Sequence, residues 1–256
     1  STIPSQRVMG NLFYRGLRMQ APVYIRDTLT TSTKVVALRQ NSIKQGRPAS
    51  GMVVLEIAVT NQRDETVMHF WRCPMLPCRD PAEDTGRKDD LDIIPNEISD
   101  DDLLASLPAW NLKPFSEKVS PRPYKAGDKL LVEARDTVTS APELVRLTLN
   151  MAMTHTDATR SVYDKRLAYG GHTIAVAAAQ LARVMPDLVM PLAWYQCDHL
   201  APVFEEDLLQ SEVSIGEVKE LPQGRLVKLR VGVTACRGDE AETSQVLDWQ
   251  LAAWLL

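Results

Sequence analysis

His155 lies five residues after Asn150 and two before Asp157, and Gly170-Gly171 stands directly before His172. Few other stretches of the chain combine residue types able to do chemistry. An imidazole exchanges a proton near neutral pH. The carboxamide of Asn150 takes no proton there and can only orient a water molecule. Asp157 adds a carboxylate, useful at the same spot only where the backbone turns it inward. Two glycines opening a helix leave N–H groups unpaired at the positive end of its dipole, and they let a ligand oxygen approach the backbone closely. The chemistry open to such a set is proton transfer, with stabilisation of negative charge on a carbonyl oxygen. Each residue also has a plainer reading. His155 can be an ordinary hydrogen-bonded histidine, Asn150 a helix C-terminal cap, the glycine pair a device for close helix–sheet packing, and His172 a structural residue at the helix start.

The elements that would carry these residues follow from local patterns. Ser140-Ala141-Pro142-Glu143 has the form of a capping box with Pro in the first turn, and predicts a helix through Leu144, Leu147 and Leu149. His172 to Met185 reads as a second helix, in which Ile174, Val176, Ala177, Ala178, Ala179 and Leu181 leave almost no polar face. A helix of this kind is surrounded by protein on most sides. Lys129 to Val138 reads as a strand opening this unit, and Met52–Thr60 and Leu226–Thr234 read as antiparallel strands bounded by turn residues.

An internal repeat organises these strands. Ala21-Pro22-Val23 through Asp27 reappears as Ala201-Pro202-Val203 through Asp207, 180 residues later. Upstream, Leu12 and Tyr14 match Leu192 and Trp194. Downstream, Val59-Thr60 and the turn Asn61–Glu65 match Val233-Thr234 and the turn Ala235–Glu240. Tryptophan-containing apolar runs, Val67–Leu76 and Val246–Leu256, close each copy. Pro22 and Pro202 belong at strand ends, and Asp27 and Asp207 are expected to fix the bend that follows. Between the copies, Arg79 to Asp102 holds ten acidic and three basic residues without apolar periodicity, and reads as a solvated linker. Ser99 caps a short helix through Ala105, which Pro108 ends.

Composition narrows the function classes. The chain has 256 residues, 45% of them apolar and 24% charged, an ordinary globular balance that excludes disorder. A net charge of −4 and a pI near 5.6 leave no basic surplus for a nucleic acid. The purest apolar stretch, Ile174 to Ala179, is too short for a bilayer. Four cysteines (73, 78, 197 and 236) form neither a disulfide scaffold nor a zinc pattern. A reduced, cytoplasmic protein without a membrane partner is the expectation.

Asn150-Met151-Ala152-Met153-Thr154-His155-Thr156-Asp157, Tyr169-Gly170-Gly171-His172, and Ala201-Pro202-Val203 with Asp207 resemble the MaoC-like double hotdog proteins, (R)-specific enoyl-CoA hydratases and acyl dehydratases. The run Arg166-Leu167 to His172 is most similar to their mesaconyl-CoA hydratase (β-methylmalyl-CoA dehydratase) group. The resemblance implies an α+β double hotdog, with a curved antiparallel sheet wrapped around a long buried helix. It divides the chain into the C-terminal half of a first, degenerate hotdog (1–78), an acidic linker with a short helix (79–120), and a second, hydratase-like hotdog (121–256). The first hotdog is expected to be incomplete in this sequence. It implies reversible hydration of an enoyl-CoA, with a short branched or dicarboxylic acyl group as a finer reading. His155 would be the acid/base, Asn150 the water holder at the position where the family has Asp, and the Gly171 N–H the oxyanion donor. Gly170, His172, Asp157 and Arg166 would contact the substrate, with Arg160 and Lys165 near the CoA phosphates. His199 is expected at a rim or domain interface. No cofactor is implied beyond the CoA of the substrate, and a homodimer is compatible. The alternatives are an acyl-CoA or acyl-carrier binding protein without turnover, and a thioesterase using Asp157.

Overall fold

The computed structural model describes residues 5–43, 45–46, 48–82, 84–238 and 242–256. The Asp239-Glu240 part of the second repeat's turn lies outside the described residues.

Each repeat folds into four long strands. The first gives β1 (Gly10–Met19), β2 (Thr30–Gln40), β3 (Ser50–Thr60) and β4 (Thr66–Pro77). The second gives β7 (Leu188–His199), β8 (Leu208–Glu220), β9 (Arg225–Arg237) and β10 (Glu242–Leu255). Two short strands, β5 (Lys129–Leu131) and β6 (Asp136–Thr137), pair with β8. The strand predicted over residues 129–138 is thus broken, and Gln210 binds the Val132 carbonyl beside the break.

The sheet order β2-β3-β4-β1-β7-β10-β9-β8-β5 is palindromic in the repeat. Replacing each strand of the second copy by its equivalent gives 2-3-4-1 followed by 1-4-3-2. The two copies therefore meet through β1 and β7, with Tyr14 opposite Cys197 and Leu17 opposite Trp194. This is an α+β double hotdog.

Alternation sets the core. In β8 and β9, Leu209, Val213, Ile215, Val227, Leu229, Val231 and Val233 turn to one face, against Ile174, Ala177, Leu181 and Met185 of the long helix and its end. That helix is α4 (Gly170–Val184). It follows α1 (Asp100–Ala105), α2 (Lys113–Ser116) and α3 (Ala141–Leu147). Enclosure of α4 is less complete than its composition implies, because Ala175, Ala179, Ala182 and Arg183 form an exposed stripe. Alanine leaves such a stripe without a large apolar area in water. No helix among the described residues is long and apolar enough to cross a membrane.

Two expectations for the helices change. Ser140 sits at φ 55° and forms no capping bond; Glu205 instead accepts from the Ala141 N–H at 3.2 Å. The helix α3 ends at Leu147, and Val145 rather than the leucines is its core contact, leaving Leu147 and Leu149 exposed. The acidic segment is not a solvated linker throughout. Leu91 and Ile94 pack on Ala37, Val54 and Cys73, and Leu103 packs on Leu192, Leu226 and Trp254. Sparse apolar anchors fasten an otherwise charged strap to the outer face of the sheet.

Ser99 does cap α1, accepting from the Asp102 N–H at 3.1 Å. The variant Ser99→Ala is expected to lose about 1 kcal/mol of stability. A lower urea midpoint at unchanged slope would show it; an unchanged midpoint would mean the strap contributes nothing to global unfolding.

Candidate active site

The Ala-Pro-Val bends are built alike in both copies. Asp27 accepts from the Tyr24 N–H and Asp207 from the Phe204 N–H, each at 2.9 Å, while Arg26 and Glu206 take positive φ. Arg63 binds Asp27, and Arg237 clamps Asp207 and also the Pro202 carbonyl. Both aspartates are therefore turn-fixing residues. The second bend shapes the site directly, because the Ala168 N–H donates to the Val203 carbonyl at 2.8 Å.

A cavity of about 530 Å³ opens beside this bend. Its walls include Asn150, His155, Tyr169 and Gly170 from the second copy, joined by Asn11, Tyr14 and Arg72 from the first. His155 ends a 3₁₀ turn, Met153–His155, and is buried. Its Nδ1 lies 2.8 Å from the Leu167 carbonyl oxygen. A carbonyl oxygen only accepts, so Nδ1 carries the hydrogen and Nε2 is left with its lone pair. Burial lowers the imidazole pKa below its ordinary value, with the Leu167 hydrogen bond opposing the shift. His155 is accordingly a neutral base.

Asn150 closes the end of α3 through its backbone, its N–H donating to the Val145 carbonyl at 3.0 Å, and its amide does not turn freely. Leu149 takes the left-handed position (φ 54°) after α3, and the Asn150 Oδ1 accepts from the Ala152 N–H at 2.9 Å. This turn leads the chain toward His155. The carbonyl end of the amide is committed, leaving its NH₂ group to face a ligand.

At the start of α4, the His172 N–H donates to the Tyr169 carbonyl at 2.7 Å, so it is unavailable as an oxyanion donor. Gly170 and Gly171 have no backbone acceptor among the described residues. Gly170 lines the cavity; Gly171 lies beneath the Tyr169 ring, which a methyl there would meet at 2.6 Å.

Other sequence candidates lie away from this set. Asp157 accepts from the Thr159 N–H and hydroxyl, which lower its pKa and hold it on an exposed turn. Arg166 pairs with Glu205 at 2.9 Å, and Lys165 sits over the Phe204 ring. Of the predicted site residues, Asp157, Arg166, Gly171 and His172 do not line the cavity.

His199, expected at a rim or domain interface, lies where the two copies meet. It belongs to the cavity wall, packed against Gly170 and, edge to face, against Tyr14 at 6.3 Å. Burial pushes its pKa down to about 4 from 6.5. The folded protein then holds His199 neutral while an unfolded chain would protonate it. The associated stability is fully present above pH 6.5 and is lost as pH falls toward 4. About 2 kcal/mol is expected to disappear over that interval, allowing for the ring edge that meets the cavity. Urea midpoints of wild type and His199→Gln between these pH values would test this, since parallel profiles would clear His199 of the effect.

Sequence reasoning missed Tyr14 as a wall residue and did not single out Tyr169 or Arg72. Tyr14 had a signal, its alignment with Trp194. Burial and its neighbour Tyr169 push its phenol pKa up, opposed by Arg72. The Tyr169 ring meets His155 edge to face at 5.8 Å.

Against known proteins, no family model matches the chain. It is 30% identical over 218 residues to β-methylmalyl-CoA dehydratase of Chloroflexus aurantiacus, a match covering 81% of this chain and 61% of that relative. The chain thus spans about three-fifths of this relative's length. It is similar in structure to a double hotdog protein of Mycobacterium tuberculosis, with a TM-score of 0.85 and 40% identity, covering 100% of this chain and 78% of that one. A MaoC domain protein of Chloroflexus aurantiacus superposes with a TM-score of 0.81 and 25% identity, covering 98% of this chain and 76% of its own. With this agreement in sequence and in the whole sheet, the chain belongs to the MaoC-like double hotdog family.

Proposed function

We propose that this chain catalyses reversible addition of water to a 2-enoyl-CoA, a lyase reaction, with a short branched or dicarboxylic acyl group as substrate. The observation that carries the reading is the neutral His155 in one cavity with the uncapped start of α4.

In the hydration direction, the His155 Nε2 takes a proton from water as the hydroxyl oxygen bonds to the β-carbon. The electron pair of the double bond moves toward the thioester, and its oxygen becomes negative. The N–H groups of Gly170 and Gly171, at the positive end of α4, would receive that charge. The imidazolium then returns its proton to the α-carbon, so that hydrogen and hydroxyl add to one face of the double bond. Asn150 supports this through its NH₂ group, which donates to the incoming oxygen and takes no proton. CoA enters as part of the substrate.

A thioesterase needs a carboxylate or nucleophile beside the acyl carbonyl. Asp157 faces away, and no Asp or Glu is found among the described residues lining the cavity. Binding without turnover is the competing reading. Following the enoyl-thioester absorbance of crotonyl-CoA and mesaconyl-CoA with purified protein separates the two. Loss of absorbance supports hydration; unchanged absorbance with retained thioester binding would leave a binding protein.

A further inference from the structure

Arg72 occupies a position that the repeat reserves for a core residue. In the first copy it pairs with Tyr14 on β1 and Leu55 on β3. In the second copy, the residue between Trp194 on β7 and Leu229 on β9 is Leu251, fully buried under α4. Tyr14 matches Trp194 and Leu55 matches Leu229, so Arg72 stands where Leu251 stands, on the inner face of the bent sheet.

Arg72 is half-buried, and its Nε, which is buried, loses its water without compensation unless a partner accepts from it. None is present. The Arg72 Nε is buried without an acceptor, and no ion pair or side-chain hydrogen bond involves Arg72 among the described residues. Arg72 borders the cavity that holds His155, and that wall contains no carboxylate among the described residues. Nearby, the Asn11 Nδ2 is spent on the Phe13 carbonyl. The cavity therefore presents one planar, forked cation and no anion of its own.

Resting on the hydratase reading above, we infer that Arg72 is a specificity-determining residue that receives a carboxylate at the far end of the acyl group, selecting monothioesters of dicarboxylic acids. A guanidinium suits a carboxylate through two parallel N–H···O bonds. The CoA phosphates are the other anions such a ligand carries. They lie at the distant end of the pantetheine arm, whereas Arg72 faces inward beside Tyr14.

The test compares wild type with Arg72→Leu, which copies the second repeat, on mesaconyl-CoA and crotonyl-CoA. The ratio of kcat/KM for mesaconyl-CoA to that for crotonyl-CoA is expected to fall about 10²-fold. An equal loss on both substrates, or an unchanged ratio, would overturn the inference, the equal loss pointing to the CoA phosphates or the fold. Calorimetric binding of succinyl-CoA and butyryl-CoA, which have no double bond to hydrate, separates this inference from the reaction itself. Wild type is expected to prefer succinyl-CoA and Arg72→Leu to lose that preference, even where no hydration is measured. Equal preference in the two proteins would overturn the role of Arg72.

Discussion

Replacing His155 by alanine is expected to lower enoyl-CoA hydration by about 10²–10⁴-fold, the range usual for loss of a positioned acid/base. The size follows from the absence of another base among the described residues of the wall. Tyr14 titrates far above neutrality, His199 turns its ring to Gly170, and Asn150 carries no titratable proton. The same change strips the Leu167 carbonyl of its donor, so alanine alone confounds chemistry with folding. His155→Gln separates them, because its amide can still donate to that carbonyl but cannot act as a base. Both variants are expected to be inactive, with the glutamine variant nearer wild type in urea midpoint. Because burial lowers the His155 pKa, the acid limb of kcat/KM for wild type belongs below pH 6.5 and disappears with the residue. The variant Asn150→Asp places a carboxylate in the same turn, still able to accept from Ala152. Residual hydration in His155→Ala/Asn150→Asp above that of His155→Ala would identify this position as a second base site. Full activity in His155→Gln would sink the acid/base assignment outright.

How far the sequence disclosed this site depended on whether its cues were local or spread across the sheet. The Ala-Pro-Val…Asp repeat was legible because the turn needs the same groups twice, a proline at a strand end and a carboxylate accepting a backbone N–H three residues back. The repeat in turn carried the strand equivalences, and the palindromic sheet order follows from them. Local patterns were weaker guides where a distant residue competed. The Ser140 cap lost to Glu205, which arrives from the second bend. The acidic segment looked solvated because averaging over 24 residues hides Leu91 and Ile94, which anchor it beside the backbone bonds between Leu38 and Asp89 and between Gln40 and Arg87. Arg72 was hardest to foresee. An arginine in an apolar strand reads as outward-facing until the register sets it opposite Tyr14 and reveals the Leu251 equivalence. His199 was expected at an interface, but its contact with the helix was not. Nothing near it in sequence indicates that the start of α4 packs on its ring.

That packing gives the second large effect. Gly170→Ala is expected to reduce kcat/KM about 10²–10³-fold, comparable with losing an oxyanion donor. A methyl at Gly170 would lie 2.8 Å from the Nε2 and Cε1 of His199. The ring has little room to retreat, since Tyr14 lies behind it at 6.3 Å, itself packed on Trp194 at 5.8 Å and Phe70 at 6.0 Å. The strain therefore falls on the helix start, which moves the two N–H groups away from the thioester oxygen. Gly171→Ala reaches the same end by another route. Its methyl would press on the Tyr169 ring, which in turn packs against His155. Gly232→Ala is the control, because its methyl would meet only the Gln245 side chain, at 3.8 Å. Ordinary activity in Gly232→Ala with loss in both helix-start variants would locate the effect at α4 rather than in glycine replacement itself. Ordinary activity in Gly170→Ala would mean that the α4 terminus serves packing alone, and the charge on the thioester oxygen would need another donor in the wall, such as the Asn150 amide.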